Sequence, residues 1–413
     1  MNKKIEVFTL KIIGAFFSFI VVAMVTKLMP PKEAGIFFVL IAMQLTISTF
    51  FRLGFDYILI KVNADKLNLE ILFTSIVIII SFFTIIGTGG LFILSENIAK
   101  IFDLSTSSIN ILLLSFFPTV IVFVISFFFQ GLQFPSLFTF GSTIVIPCSL
   151  ILTFISFYHD VGSVWCIVIS SWFSCIIMTL IFVNVVNKEV WVRPNYLYLF
   201  NTIKKCKSIF GVMVSTIVME YALVFILGKY GSFQQVAYYT LSMRMTLLVG
   251  FVLTTYNAIY LPQYSILSFN KDILNLKVLI KKNTQQMLFI ATPTILILFC
   301  FSKEIINLVN DEYVIASEVL SILLLSQIFH VMTGPSGMIL MMTGFDKQNQ
   351  LSQVLSASTL VISGILLVPD FGAIGAAYSY LISIVCSKCL TNFYLYKNLG
   401  FTSLPTLGFR EVL

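Results

Sequence analysis

Long apolar runs recur along the whole of this 413-residue chain, and they limit what it can fold into. A helix needs about 20 consecutive apolar residues to cross the hydrocarbon of a bilayer. Because lipid offers the backbone no hydrogen-bond partners, such runs must form closed secondary structure, and runs of this length predict helices. Twelve spans are predicted, at 8–29, 36–60, 69–94, 109–129, 138–158, 164–186, 208–229, 236–260, 287–302, 317–340, 351–368 and 374–397.

The composition is typical of a membrane protein. Hydrophobic residues make up 58% of the chain and charged residues only 10%, whereas soluble domains carry about 25% charged residues. The first apolar run is too long for a cleavable signal peptide and lacks a small-residue cleavage pattern. The sequence therefore predicts an all-α integral membrane protein, with the lipid bilayer as its surroundings.

Two parts of the chain repeat one pattern. Residues 25–40 (VTKLMPPKEAGIFFVL) and 226–241 (ILGKYGSFQQVAYYTL) each place a lysine, Lys27 or Lys229, before a short turn between two apolar runs. Residues 160–162 and 370–372 repeat an Asp-x-Gly sequence before later runs. Six spans per copy give both copies the same orientation, so we expect two six-helix bundles related by a pseudo-two-fold axis along the membrane normal.

The boundary between the copies is a basic linker. We expect an N-terminal bundle at 1–190, a cytoplasmic linker at 191–207 and a C-terminal bundle at 208–413. With the N-terminus inside, the cytoplasmic loops and termini contain sixteen Lys and Arg residues and the outer loops five. Basic residues are retained on the cytoplasmic side, so both termini are predicted there. The net charge of +7 reflects this topology and does not indicate nucleic-acid binding.

Three charged residues lie in the cytoplasmic half of the first helix pair. Lys11 is 20 residues before the Pro31 turn and Arg52 is 21 after it, which places both cations at one depth. Arg52 is expected two turns inside its helix, and Asp56, one turn further on, can pair with it. The alternatives are that these cations extend to the interface or that Arg52 faces inward.

Four further polar residues are expected inside the second bundle. Glu220 and Arg244 each lie about twelve residues from the 231–233 turn, so they share a depth near the bilayer centre, where an unpaired charge is costly. They form either a structural pair or a titratable carboxylate beside an anion-attracting cation. His330 and Lys388 are also candidates for inward positions, although a lone histidine in a helix is commonly a hydrogen-bonded core residue.

Other kinds of chemistry are not indicated. The seven cysteines are odd in number and lie in or beside the spans, and the Cys386–Cys389 spacing falls in a membrane helix, where packing explains it. No metal-binding cluster, phosphate-binding glycine loop or catalytic triad is evident. The outer loops are too short for the catalytic domain of a membrane glycosyltransferase or polymerase, and a channel filter is missing. A secondary carrier, not an enzyme, remains.

Several motifs resemble one family. The pattern from Lys27 to Gly35, the Gly131-Leu-Gln and Gly344-Phe-Asp turns, and the segment Phe371-Gly372-Ala-Ile-Gly375-Ala-Ala are similar to the polysaccharide transporter branch of the multidrug/oligosaccharidyl-lipid/polysaccharide exporter superfamily. The most similar type is the O-antigen (Wzx-type) flippase. Lys27 stands where relatives often have Arg, which preserves the charge.

The resemblance implies a MATE-like fold and a flippase of lipopolysaccharide or related surface-polysaccharide biosynthesis. Its cargo would be an undecaprenyl-pyrophosphate-linked oligosaccharide, moved across the bacterial inner membrane without a cofactor by a proton or sodium gradient. Polysaccharide polymerase and chain-length regulator are the implied partners. Lys11, Lys27, Arg52, Arg244 and Lys388 would then contact the pyrophosphate and glycan. Ion coupling would fall to a separate set of residues, Glu220, Asp56 and His330.

Two other functions are alternatives to this one. A MATE-type multidrug or cation antiporter would share the fold but should line its cavity with carboxylates and aromatic residues, whereas the intramembrane cations here outnumber Glu220 and Asp56. A non-transporting scaffold of the assembly machinery would be unaffected by loss of these charges.

The topology predicts the outcome of a reporter experiment. A reporter that requires the periplasm should give no signal when fused at Asn201, in the linker, and should be active when fused at Ser163. The reverse pattern would invert the orientation and every depth assigned above.

Overall fold

The structure is a computed structural model, which describes residues 3–52, 54, 55, 59, 66–186 and 207–405. In these residues the regular structure is helical. The first part of the chain forms α1 (Lys3–Leu28), α2 (Pro31–Phe51), α3 (Lys66–Ile93), α4 (Ser95–Phe102), α5 (Thr106–Leu113), α6 (Phe116–Gly131), α7 (Pro135–Thr139), a π-helical turn (Phe140–Ile144), α8 (Val145–Val161) and α9 (Ser163–Val185).

The second part continues in the same way. It forms α10 (Lys207–Tyr230), α11 (Phe233–Phe269), α12 (Ile273–Cys300), α13 (Ser302–Val309), a 3-10 turn (Asp311–Tyr313), α14 (Ala316–Met332), α15 (Ser336–Met342) and α16 (Asp346–Leu399). The predicted linker at 191–207 lies outside the described residues except for Lys207, the first residue of α10.

Ten segments of the described chain are long and apolar enough to cross a membrane. The prediction of an all-helical membrane protein is confirmed, whereas the number of twelve spans stays a prediction. One of the ten segments is the 54-residue α16, which at 1.5 Å per residue is about 80 Å long, far more than the hydrocarbon thickness of about 30 Å. It bends at Gly372, between the two spans predicted there. The predicted span in α11 is not among the ten.

The chain divides into two compact units. The first unit comprises Met1–Leu28 and Glu33–Met213, and the second comprises Met29–Lys32 and Val214–Leu413. In the first unit a cluster of aromatic rings joins α3, α6 and α9, with the ring centroid of Phe73 4.1 Å from that of Phe128 and 5.2 Å from that of Phe182. In the second unit Tyr264, Ile280 and Leu395 belong to a buried cluster that includes Phe401, beyond the end of α16.

The internal repeat is visible in the helix boundaries. The first helices of the two copies end at Leu28 and Tyr230, and the next helices begin at Pro31 and Phe233; both pairs are 202 residues apart (230 minus 28, 233 minus 31). Corresponding side chains such as Phe37 and Tyr239 are buried in both copies. The repeated pattern in the sequence therefore describes two hairpins whose helices end and begin at equivalent positions.

A second pair of corresponding elements follows the third long helix of each unit. Both α4 and α13 are amphipathic helices of eight residues. Ser95 and Ser302, their first residues, are buried, while Ile101 and Leu308 are 50% and 85% exposed. Ser302 lies 207 residues after Ser95 (302 minus 95), and Leu308 lies 207 residues after Ile101 (308 minus 101). The repeat therefore extends to short helices that were not predicted from the sequence.

Glycine is required where α16 bends. Gly372 has φ +56° and ψ −129°, inside an otherwise helical element. A Cβ atom at this position would collide with the side-chain amide of Gln235. Gln235 belongs to the capping box that begins α11, in which its backbone N–H and side-chain oxygen are bonded to Ser232. The bend in α16 and the start of α11 are therefore fitted to each other.

We expect Gly372→Ala to destabilise the folded protein. The strained backbone should cost roughly 1–3 kcal/mol, and the clash with Gln235 adds to it, so a lower midpoint of thermal unfolding in detergent is expected. The control is Gly89→Ala in α3, where an added Cβ meets no atom within 4 Å and alanine is the better helix former. Equal behaviour of the two variants would contradict this account of the bend.

Candidate functional site

The structure distributes the predicted charged residues unevenly between interior and surface. Arg52 is buried, whereas Arg244, His330 and Lys388 are partly buried, and Lys11, Lys27 and Glu220 are exposed. Asp56 lies outside the described residues. The described chain forms two units, and each unit has its own interior polar groups.

Arg52 of the first unit lies on aromatic rings. Its guanidinium carbon is 4.4 Å from the centroid of the Phe123 ring and 5.9 Å from that of Phe127. Phe123 and Phe127 are four residues apart on α6 and therefore share one face of that helix. A cation over an aromatic face is attracted by the ring quadrupole, at about 2 kcal/mol when desolvated. The rings thus stabilise a buried positive charge.

Hydrogen bonds fix the direction of the Arg52 side chain. Its Nη2 donates to Thr49 Oγ1 at 2.7 Å, and its Nε donates to the Ser48 carbonyl at 3.3 Å. The sequence placed Arg52 two turns inside a helix, but α2 ends at Phe51, and Gly54 has φ +76°. The left-handed conformation of Gly54 is not compatible with a continuing helix. Arg52 therefore sits at the end of α2, not within it.

A neutral polar network lies further along α2. Gln44 is buried, and its Nε2 donates to Thr119 Oγ1 at 2.8 Å and to Ser171 Oγ at 2.7 Å. These bonds join α2 to α6 and α9. This network was not predicted from the sequence, although a glutamine within an apolar run was a usable signal. Its amide is hydrogen-bonded to these buried hydroxyl groups. A polar group without a hydrogen bond would be costly in an apolar interior.

In the second unit a helix is broken beside a lysine. Helix α14 ends at Met332 and α15 begins at Ser336, with Gly334 between them at φ +56°. Lys388 Nζ, on α16, donates to the Gly334 carbonyl at 3.2 Å. A cation is favourable at the C-terminal end of a helix, where carbonyl groups lack intrahelical partners. The broken helix thus holds a positive charge inside this unit.

Uncharged groups hold the two sides of the break. Ser336 and Thr391 hydroxyls are bonded at 2.8 Å, which joins the start of α15 to α16. Ser403, in the segment after α16, donates through Oγ to the Thr333 carbonyl at 2.5 Å. Asn392 Oδ1 accepts from Ser403 N at 3.1 Å and lies 2.9 Å from Ser403 Oγ, whose single proton can be donated to either oxygen. Ser403 is fully buried, so the segment after α16 is part of this site, which the sequence did not reveal.

Glu220 and Arg244 are not joined in the structure. Among the described residues no ion pair links them, and the exposed Glu220 carboxylate accepts a hydrogen bond from the Tyr221 hydroxyl at 3.1 Å. The structural pair considered from the sequence is therefore not formed. The described residues also include no group of three His, Cys, Asp or Glu side chains that could hold a metal ion.

A family model described as polysaccharide biosynthesis protein matches residues 24–313, more than half of the chain. No curated protein sequence matches. Solved structures show the same fold at low sequence identity. An inward-facing multidrug resistance MATE family transporter of the MOP superfamily has a TM-score of 0.77 at 11% identity, covering 97% of this chain and 98% of its own.

Two further solved structures have the same fold. The lipid II flippase MurJ, in an inward closed conformation, has a TM-score of 0.75 at 15% identity and covers 95% of this chain and 87% of its own. A MOP superfamily transporter from Pyrococcus furiosus, described as having a binding pocket of reversed polarity, has a TM-score of 0.65 at 13% identity, covering 96% and 95%. The MATE-like fold that the sequence motifs implied is confirmed.

Proposed function

Because the chain belongs to the polysaccharide biosynthesis protein family, we propose that it is a flippase for lipid-linked oligosaccharides. It moves undecaprenyl-pyrophosphate-linked repeat units of O-antigen or a related surface polysaccharide to the outer leaflet of the bacterial inner membrane. It works by ion-coupled alternating access, with both termini in the cytoplasm, and it catalyses no covalent step. Partners are the lipid-linked oligosaccharide, the bilayer, a polysaccharide polymerase and a chain-length regulator.

The sign of the charge held inside the units carries this proposal. Among the described residues Arg52 is buried, Lys388 and Arg244 are partly buried, and the Glu220 carboxylate is exposed. A pyrophosphate-linked cargo has an anionic group, and Arg and Lys are the side chains that bind phosphate. Cation binding by a multidrug exporter would instead favour carboxylates inside, so the polarity supports an anionic cargo.

The fold alone does not separate these two functions. Structures with the same fold include a multidrug resistance transporter and a lipid II flippase. The Pyrococcus furiosus transporter has a pocket of reversed polarity, so charge reversal within the fold has a precedent. The family match and the interior cations together favour the flippase over the cation antiporter, and a scaffold without transport has no use for interior charge.

Depletion of the protein in living cells tests the proposal. If the chain is the flippase, lipid-linked oligosaccharide should accumulate in the cytoplasmic leaflet, and its sugar composition identifies the repeat unit. Re-expression of the protein should reverse the accumulation. Normal export in depleted cells, in a strain without a second transporter of this family, would refute the function.

Arg52 should be essential for export. We expect Arg52→Ala to abolish export at normal protein levels, because the buried positive charge is lost, and the same change at Arg244 to have the same effect. Replacement by Lys should retain part of the activity, since charge survives while the bidentate fork is lost. Arg193→Ala, in the predicted cytoplasmic linker, is the control. Surface polysaccharide and protein level are measured together, and a stable, fully active Arg52→Ala protein would exclude this role.

Glu220 is proposed as the ion-coupling carboxylate. It is exposed, is not paired with Arg244 in the described structure, and accepts one hydrogen bond from the neighbouring Tyr221 through Oε1, so its Oε2 is available to a proton or a sodium ion. Flipping by purified protein in liposomes should respond to an imposed pH or sodium gradient, and Glu220→Gln should remove that response. Glu318→Gln, an exposed carboxylate in the first turn of α14, is the matched control. An unchanged response in Glu220→Gln would eliminate the role.

A further inference from the structure

Lys388 has hydrogen-bonding capacity that the second unit does not use. An ammonium group carries three donors. Among the described residues Lys388 donates to one acceptor, the Gly334 carbonyl, and no carboxylate lies within ion-pair distance of it. A charge held inside a membrane protein normally has a counter-charge. The unused donors and the missing counter-charge indicate that an anion belongs at this position.

His330 is a second basic group beside Lys388. It lies in the last turn of α14, four residues before Gly334, and Lys388 acts on it electrostatically. Its Nδ1 atom is buried and has no hydrogen-bond partner among the described residues. A buried nitrogen without a partner is costly, and two adjacent basic groups without an acid favour the approach of negative charge. Both side chains therefore lack the same kind of partner.

The break between α14 and α15 does not depend on Lys388. The Ser336–Thr391 bond joins the start of α15 to α16, and Ser403 holds the Thr333 carbonyl. These contacts involve no charge, and they remain if the ammonium moves away from the Gly334 carbonyl. Lys388 can therefore exchange this acceptor for another while the contacts between α14, α15 and α16 stay in place.

The fold does not require a cation at this position either. The Asp-x-Gly sequences align Gly162 with Gly372, 210 residues apart, and by the same offset Lys388 corresponds to Met178. Met178 is fully buried in the apolar cluster of the first unit, with Phe128 and Phe182. The first unit thus fills the corresponding position with a thioether side chain. The lysine is therefore present in only one of the two corresponding positions, which indicates that it serves function and not folding.

We propose that Lys388 and His330 form a binding site for a phosphate-bearing anion inside the second unit. The Lys388 ammonium exchanges the Gly334 carbonyl for an oxygen of the anion, and His330 contributes the second contact. This inference rests on the proposed flippase function, and it assigns His330 to cargo binding instead of ion coupling. The same chemistry is present in the diphosphate of a lipid-linked cargo and in the headgroup of a phospholipid.

Inorganic pyrophosphate is the probe for this site. Purified full-length protein in detergent should show a rise in its thermal unfolding midpoint with pyrophosphate, at constant ionic strength. Lys388→Met should weaken the apparent affinity by about tenfold or more, as expected for loss of a charged hydrogen bond. Lys388→Arg should retain most of it. Lys347→Met, at an exposed position near the start of the same helix, should behave as the parent.

His330→Gln gives a second measurement if Lys388→Met does not fold, and a several-fold weaker response to pyrophosphate is expected from it. Equal responses of the parent and the Lys388 and His330 variants would overturn the site, and so would a parent that does not respond. Either result would leave the depletion experiment untouched, so failure of the site is separable from failure of the flippase function.

Competition identifies the source of the anion. Polyprenyl pyrophosphate and phosphatidylglycerol are each added in mixed micelles to protein with bound pyrophosphate. Displacement by polyprenyl pyrophosphate alone supports a cargo site, and displacement by both supports a site that also takes membrane phospholipid. Displacement by neither would show that the site does not accept a lipid-linked phosphate, which overturns its assignment to the transport path.

Discussion

The backbone of this protein must satisfy its own hydrogen bonds, because hydrocarbon offers no alternative partner. Most of the chain meets this requirement with continuous helices. Where a helix is interrupted, other groups must bond the freed carbonyls, and the structure shows which groups do so. The break at Gly334 is bonded by a lysine and a serine from two other segments. Interruptions of this kind are costly in lipid, so they concentrate where the protein needs polar groups inside.

The two units solve this requirement differently although they share one plan. In the first unit polar groups in the interior are mainly neutral, and Gln44 bonds the hydroxyls of two neighbouring helices. Its one buried charged side chain among the described residues, Arg52, lies at a helix end over two phenylalanine rings. In the second unit a lysine lies within a long helix, opposite a broken one. The duplicated architecture therefore carries two distinct ways of keeping positive charge away from water.

The sequence predicted the membrane class and the repeat, because both depend on local patterns. The spacing of Lys27 and Lys229 predicted two equivalent hairpins, and the helix boundaries agree with it. The contacts at the interior sites were not predictable in the same way. Ser403 meets a carbonyl 70 residues earlier in the chain, and no periodicity marks such a pairing. The end of α2 was misplaced because the apolar run continues past it, while the conformation of Gly54 ends the helix.

The short amphipathic helices α4 and α13 have a mechanical consequence. Each leaves an apolar side chain exposed, Ile101 or Leu308, at corresponding positions of the repeat. A helix with one apolar and one charged face is most stable lying flat at the boundary between headgroups and acyl chains. Each unit therefore has one short helix that is suited to lie along the lipid surface, so the same kind of membrane contact is built into both copies.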